Sequence, residues 1–243
     1  DEVGNVSNTY DSVIVQSGDR LDADLPLITG VTIQDDTLIV GDTCDVTINV
    51  ENDGGDIPSL TSGSIGGYPL INLSRTNATT YAAEFIITEG GNNYATGSSI
   101  PITENIVLTD NSGNASSPYN TSVTQATGLI DANTPGINTV SIPNNAMKIG
   151  DVVPVTISVA DDGGDFPEFM SGTIGGFTLS NLTRNSNTQY SAQFSITDNG
   201  NDYAASADIP VSDLVLTDSA GNVSDTLSVY IAQSSDPIDA NRP

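Results

Sequence analysis

Histidine and tryptophan are absent from this chain of 243 residues, cysteine occurs once, and only 5 lysines and arginines stand against 31 acidic residues. Without histidine, the usual general base and the commonest transition-metal ligand are missing. Cys44 alone can form neither an intrachain disulfide nor a cysteine-based zinc site. Nucleic acid demands a basic footprint and anionic membranes attract basic clusters, so a formal net charge of −26 argues against both as partners. No run of about 18 apolar residues offers a membrane span, and no signal peptide is present. Nothing resembles a nucleophile held by a base, and acid pairs are expected by chance among so many aspartates. The sequence therefore reads as non-enzymatic.

What the chain has instead is a repeat. Residues 1–26, 110–135 and 218–243 are alike over 26 positions without a gap. Each opens on Asp-x-x-Gly-Asn: Asp1, Gly4 and Asn5; Asp110, Gly113 and Asn114; Asp218, Gly221 and Asn222. Each closes on Asp-Ala-Asp/Asn-x-Pro, and the closing residues Pro26, Pro135 and Pro243 lie 109 and 108 residues apart. A period of that size marks tandem domains, each large enough for its own core, rather than a solenoid of short units. The division is 27–135 for repeat 1 and 136–243 for repeat 2, with 1–26 as the last strand and linker of a preceding repeat. The chain then starts mid-repeat and reads as a segment of a longer polypeptide, so the missing targeting segment says nothing of the parent. Residues 6–17 should be a strand parted from its sheet. It would rest on a neighbouring molecule or on the near end of repeat 1, as strands added to open edges do.

The apolar period inside the repeats is two. Cys44, Val46, Ile48 and Val50 alternate with polar residues, as do Val153, Val155, Ile157 and Val159. Cys44 aligns with Val153 and so reads as a small core side chain. A second alternation, Tyr81, Ala83, Phe85 and Ile87, is mirrored by Tyr190, Ala192, Phe194 and Ile196. Half-buried antiparallel strands give this pattern, and turn signals at short intervals complete a seven-strand β-sandwich. In repeat 2 the strands fall near 137–143, 152–160, two within 168–183, 189–197, 211–217 and 223–233. Pro154 cannot donate to a ladder, so its strand should be an edge or bulged there. Tyr68/Phe177 and Tyr94/Tyr203 recur and are open between core and surface. The expected fold is all-β: two immunoglobulin-like or cadherin-like sandwiches end to end, in a rod of order 80 Å at about 3.3 Å per strand residue.

Strand directions alternate in such a sandwich. The linker before each repeat, the loop after its second strand and the loop before its last strand therefore meet at one end, the leading pole. In repeat 2 that pole gathers Asp131, Asn133, Asp162, Asp165 and Asp218; in repeat 1 it gathers Asp22, Asp24, Asp53, Asp56 and Asp110. Acids so grouped repel without a counter-ion, and Ca2+ takes six to eight oxygen ligands in flexible geometry. Glycines in Asp-Gly-Gly-Asp let backbone carbonyls turn inward. Asp, Asn and Gly are also plain turn formers, and a solvated surface is the other reading. The loops and linker taken together favour the metal. At the opposite, trailing pole, Asp35-Asp36, Gly41-Asp42 and Glu89–Asn93 would face the next module as weaker ligand candidates.

Leu-Thr-Asp-x-x-Gly-Asn-x-Ser (Leu108 to Ser116, Leu216 to Ser224), followed by an acidic linker ending in proline, resembles bacterial immunoglobulin-like repeats. These form the extender regions of giant type I-secreted RTX adhesins of Gram-negative bacteria. The resemblance covers both repeats and the N-terminal 26 residues, and its motif is short. It implies an extracellular, calcium-stiffened stalk on the bacterial cell surface, monomeric in solution, whose partners are neighbouring repeats. Carried over, the linker ligands would be Asp22, Asp24, Asp131 and Asn133. Asn133 departs from an all-carboxylate linker, which implies weaker binding at the central junction. A calcium-dependent carbohydrate- or protein-binding module is the alternative, and an exposed aromatic platform would be its cue.

Overall fold

The computed structural model describes residues 1–15, 21–234 and 237–243. Repeat 1 contains β1 (Ile28–Ile33), β2 (Thr43–Val50), β3 (Ser59–Ile65), β4 (Tyr68–Pro69), β5 (Ile71–Asn77), β6 (Thr80–Ile86), β7 (Ser99–Ile100), β8 (Ile102–Thr109) and β9 (Val123–Thr124). Repeat 2 contains β10 (Ile137–Ser141), β11 (Met147–Lys148), β12 (Val152–Val159), β13 (Glu168–Ile174), β14 (Phe177–Thr178), β15 (Ser180–Ser186), β16 (Gln189–Ser195), β17 (Asp208–Thr217), β18 (Leu227–Ala232) and β19 (Ile238–Asp239).

The period-two pattern decides which faces turn inward. Cys44, Val46, Ile48 and Val50 of β2 are all buried, as are Val153, Val155, Ile157 and Val159 of β12. Each repeat stacks one sheet, ordered β1-β2-β6-β5 or β10-β12-β16-β15, on a second, ordered β4-β3-β8 or β14-β13-β17-β18. That division of strands is the immunoglobulin-like sandwich. One core is drawn from Ile28–Ala132 and the other from Met147–Ala240, and no residue is shared. Cys44 is fully buried, and burial pushes its thiol up to about 12. Tyr68 and Phe177 lie in the cores, stacked on Phe85 and Phe194 at 5.5 and 5.7 Å between ring centres. Tyr94 and Tyr203 are partly buried against the same cores.

The hairpins between the second-sheet strands turn on Gly66-Gly67 and Gly175-Gly176, all at positive φ. A two-residue turn of this kind demands φ > 0 at both positions. A Cβ on Gly66 would also meet the Tyr94 ring at 2.7 Å. Pro154 behaves as its position requires. The Val159 N–H bonds Thr188 on the β16 side and the Ala160 N–H bonds Gly136 on the β10 side. By alternation Pro154 faces β10, whose pairing has already ended at Ser141–Thr156. Repeat 1 differs at its last edge. Where repeat 2 has the continuous strand β18, repeat 1 has the isolated bridges Ala115–Thr109 and Tyr119–Ile106 and the short β9, and Pro118 lies between the two bridges.

Residues 1–15 form no strand, and Val6, Val13 and Ile14 are 92, 86 and 84% exposed. Residues 6–15 therefore do not cover the leading pole of repeat 1. Gln16 and Ser17, the end of that expected strand, lie outside the described residues. Among the described residues no helix is long and apolar enough to cross a membrane.

Candidate metal centre

The linker between the repeats is stitched to the trailing pole of repeat 1. Ile130 exchanges both backbone bonds with Tyr94 at 2.8 Å. The Leu38 N–H donates to Leu129, the Asp131 N–H donates to the Leu38 carbonyl, and the Gly90 N–H donates to Ala132, each at 2.9 Å. The Asn93 amide oxygen accepts the Ala132 N–H at 2.7 Å and the Asn133 side chain at 2.9 Å. Asp131 thus reaches repeat 2 from a fixed backbone, and the linker stays tied to repeat 1 as far as Thr134, whose N–H donates to Glu89 at 3.1 Å.

Repeat 2 supplies two more carboxylates from loops that its own sequence builds. Asp218 Oδ1 accepts the N–H groups of Ala220, Gly221 and Asn222 at 3.0, 2.8 and 2.9 Å, and Asn222 Nδ2 donates to its Oδ2 at 3.1 Å. The same ring closes at Asp110–Asn114 and Asp1–Asn5. This is the physical content of the Asp-x-x-Gly-Asn motif: the aspartate holds a tight loop by its own backbone. Asp165 is tied to Asp162 O through its N–H at 2.7 Å and accepts from Ser219 Oγ at 2.6 Å.

The outcome is a three-carboxylate cluster. Asp131, Asp165 and Asp218 each bring an oxygen within 4.8 Å of the others. Asp131 is 3% exposed, and its Oδ2 has no hydrogen-bond partner. A buried carboxylate oxygen left unpaired is costly. Burial first, then Asp165 and Asp218 beside it, push the Asp131 carboxyl up to about 6. The site as folded asks for positive charge, either a proton or a cation. The donor set of three carboxylates, with backbone and amide oxygens nearby, suits a hard divalent ion and not a soft one.

Of the other sequence candidates, Asp162 and Asn133 line the same cleft as Asp165 and Asp218. Asp162 is not brought into the cluster. Arg184 grips it through Nε at 2.7 Å and Nη2 at 2.9 Å, and the Tyr190 hydroxyl donates to it at 2.6 Å. Asp53 is held identically by Arg75 at 2.7 and 3.0 Å and by Tyr81 at 2.8 Å. The arginine bonds hold both carboxyls well below the usual carboxylate range. These two aspartates therefore serve as internal ties of each sandwich. The cue was in the sequence: two of the 5 basic residues, Arg75 and Arg184, occupy the same position in their repeats. Asn133 lines the cleft of about 460 Å3 that also includes Glu89, Asn93, Asp161, Asp165 and Asp218. Both repeats thus face this cleft.

At the leading pole of repeat 1, Asp24, Asp53, Asp56 and Asp110 line a second cleft of about 340 Å3. Asp22 accepts from Ser112 Oγ at 2.9 Å. Burial opposes the charge of Asp110, but bonds from Asn114 and Ser112 outweigh it and lower its carboxyl. Asp22 is half-buried where Asp131 is buried, since no sandwich of this chain covers that pole.

No protein-family model matches the chain, and no curated protein matches it. Among solved structures, the Escherichia coli adhesin FdeC is similar at 14% identity, over 90% of this chain and 67% of that one, with a TM-score of 0.31. Fibronectin(III)-like modules of Clostridium thermocellum CbhA are similar at 16% identity, over 87 and 95% of the two chains, with a TM-score of 0.32. The titin immunoglobulin tandem A164-A165 is similar at 15% identity, over 88 and 97%, with a TM-score of 0.29. None of them assigns a function to this chain.

Proposed function

We propose that the two sandwiches are spacer modules of a bacterial cell-surface adhesin, working outside the cell without catalysis, and that calcium stiffens the joint between them. The observation that carries the calcium reading is the buried, unpartnered Asp131 Oδ2 beside Asp165 and Asp218. Asp131, Asp165 and Asp218 would hold the ion, and Asn133 and Glu89 line the cleft that Asp165 and Asp218 also face. Asp131 belongs to the pinned linker of repeat 1, and the other two belong to loops of repeat 2. A divalent cation there ties one sandwich to the other and cancels their mutual repulsion. Small interfaces otherwise leave domains free to move. The adhesin and RTX assignment rests on the motif resemblance. The placement of Tyr68 and Phe177 in the cores takes away part of the aromatic cue for a carbohydrate-binding module.

Extracellular modules bind calcium with Kd values of about 10⁻⁴–10⁻³ M. Such a site fills outside the cell and stays empty in the cytosol. The reading is tested by the distribution of distances between spin labels placed on the two sandwiches. It should narrow in calcium relative to chelator, and the melting temperature should rise. Identical distance distributions and identical melting temperatures in both conditions would overturn it.

The raised carboxyl of Asp131 sets a pH dependence. Its folded value near 6 lies above the unfolded value near 3.9, so its protonated form favours the metal-free fold. That contribution is complete below about pH 4 and is lost as pH rises through about 6. Asp53 and Asp162 have lowered carboxyls, so their contribution is present above the ordinary range and lost only at more acid pH. Between pH 7 and 5 the metal-free chain should therefore gain stability. Calcium must displace the proton, so its affinity should fall over the same interval. Calorimetric titration and melting curves at pH 7, 6 and 5 check both signs.

A further inference from the structure

Asn222 does more than close the Asp218 loop. Its side chain is buried, with the residue 2% exposed. Nδ2 donates to Asp218 at 3.1 Å and to the Asp131 carbonyl at 3.4 Å, and Oδ1 accepts the backbone N–H of Val40 at 2.9 Å. Val40 belongs to repeat 1, 182 residues away in the chain. One amide thus touches the first sandwich, the linker and the loop of the second. We propose that Asn222 is a cation-independent latch between the sandwiches, holding them in the orientation in which the three carboxylates meet. The proposal goes beyond the calcium reading, because the bond is between an amide and a peptide N–H and needs no metal.

The turn that Asn222 engages shows why the bond is specific. Residues 39–42 form a turn closed by the Asp42 N–H on Ile39 O at 3.0 Å, with Gly41 at φ +93. The Ile39 N–H is taken by Asp42 Oδ2 and the Gly41 N–H by Ile87 O, each at 2.9 Å. Val40 directs its N–H to the other sandwich. A positive φ at the third position marks a type II turn, in which the second position favours proline. Val40→Pro therefore deletes the donor while suiting the local backbone. Asn114 makes the same ring around Asp110 but at the leading pole of repeat 1, away from the joint, so it serves as an internal control.

The test uses the whole chain in chelator. Hydrogen exchange at the Val40 amide should be slow in the wild type and roughly tenfold faster in Asn222→Ala, the loss of about one hydrogen bond. Asn114→Ala should leave it unchanged. Val40→Pro should broaden the distance distribution between the sandwiches as Asn222→Ala does, with both cores still protected. Unchanged Val40 protection in Asn222→Ala would overturn the latch, as would a Val40→Pro chain whose distribution matches the wild type. The Val40→Pro arm holds even where Asn222→Ala damages the Asp218 loop. Repeating the series in calcium separates the two ideas: a latch with no calcium response leaves this inference standing and removes the cation reading.

Discussion

Calcium should no longer raise the melting temperature once Asp131 and Asp165 are both replaced by alanine. In the wild type, about 10 mM calcium against a Kd near 10⁻⁴ M is roughly 100-fold saturation, worth about 2.7 kcal/mol by mass action. For a domain of about 100 residues that is a rise of order 10 °C. The double variant keeps only Asp218 of the cluster, and one carboxylate engaged by its own loop is a poor calcium site. Removing the two acids also removes a buried unpaired oxygen and its repulsion from Asp218. In chelator at pH 7 the variant should therefore melt no lower than the wild type. A variant that melts several degrees lower without metal would mean that the cluster stabilises the fold by itself, through bonds the present account does not give it.

Asp162→Ala should do the opposite: lower stability and leave the calcium response in place. Its side chain is 1% exposed and accepts from Arg184 and from the buried Tyr190 hydroxyl. Without it the tyrosine hydroxyl loses its acceptor inside the sandwich, and the charge-assisted bonds vanish. The expected cost to repeat 2 is on the order of 2–3 kcal/mol. Tyr190→Phe removes only one of these bonds and should cost less. Melting curves of the two variants, each with calcium and with chelator, give both comparisons. Loss of the calcium shift in Asp162→Ala with the sandwich still folded would return Asp162 to the ligand set.

The contrast between Asp162 and Asp165 shows where sequence reasoning stops. Period-two alternation is a local property, so β2, β6, β12 and β16 were readable from four or five side chains each. The meeting of the linker with two loops followed from strand direction alone, and it placed Asp131, Asp165 and Asp218 at one pole. Which carboxylates remain available there was decided by partners distant in sequence. Arg184 lies 22 residues from Asp162, on β15, two strands over from β12 in the sheet, and takes it away. Arg75 does the same to Asp53. The hydrogen bonds that fix the linker go to Leu38, Gly90 and Tyr94, on segments far from it in sequence. Asn222 was legible as a motif residue, but its bond to Val40 crosses between sandwiches and leaves no periodic trace. Of the two covers expected for residues 6–17, the one on repeat 1 is not made by residues 6–15, since the pattern names an apolar side without naming what it packs against.

The most direct test of the calcium-bound joint is an anomalous-difference map from crystals of the whole chain grown with calcium. A peak is expected between the repeats whose nearest ligands include carboxylate oxygens of Asp131, Asp165 and Asp218, at the calcium–oxygen distance of about 2.3–2.6 Å. No peak at that cluster in a calcium-saturated crystal, with Asp131 Oδ2 bonded instead to a protein group or a proton shared with Asp165, would contradict it.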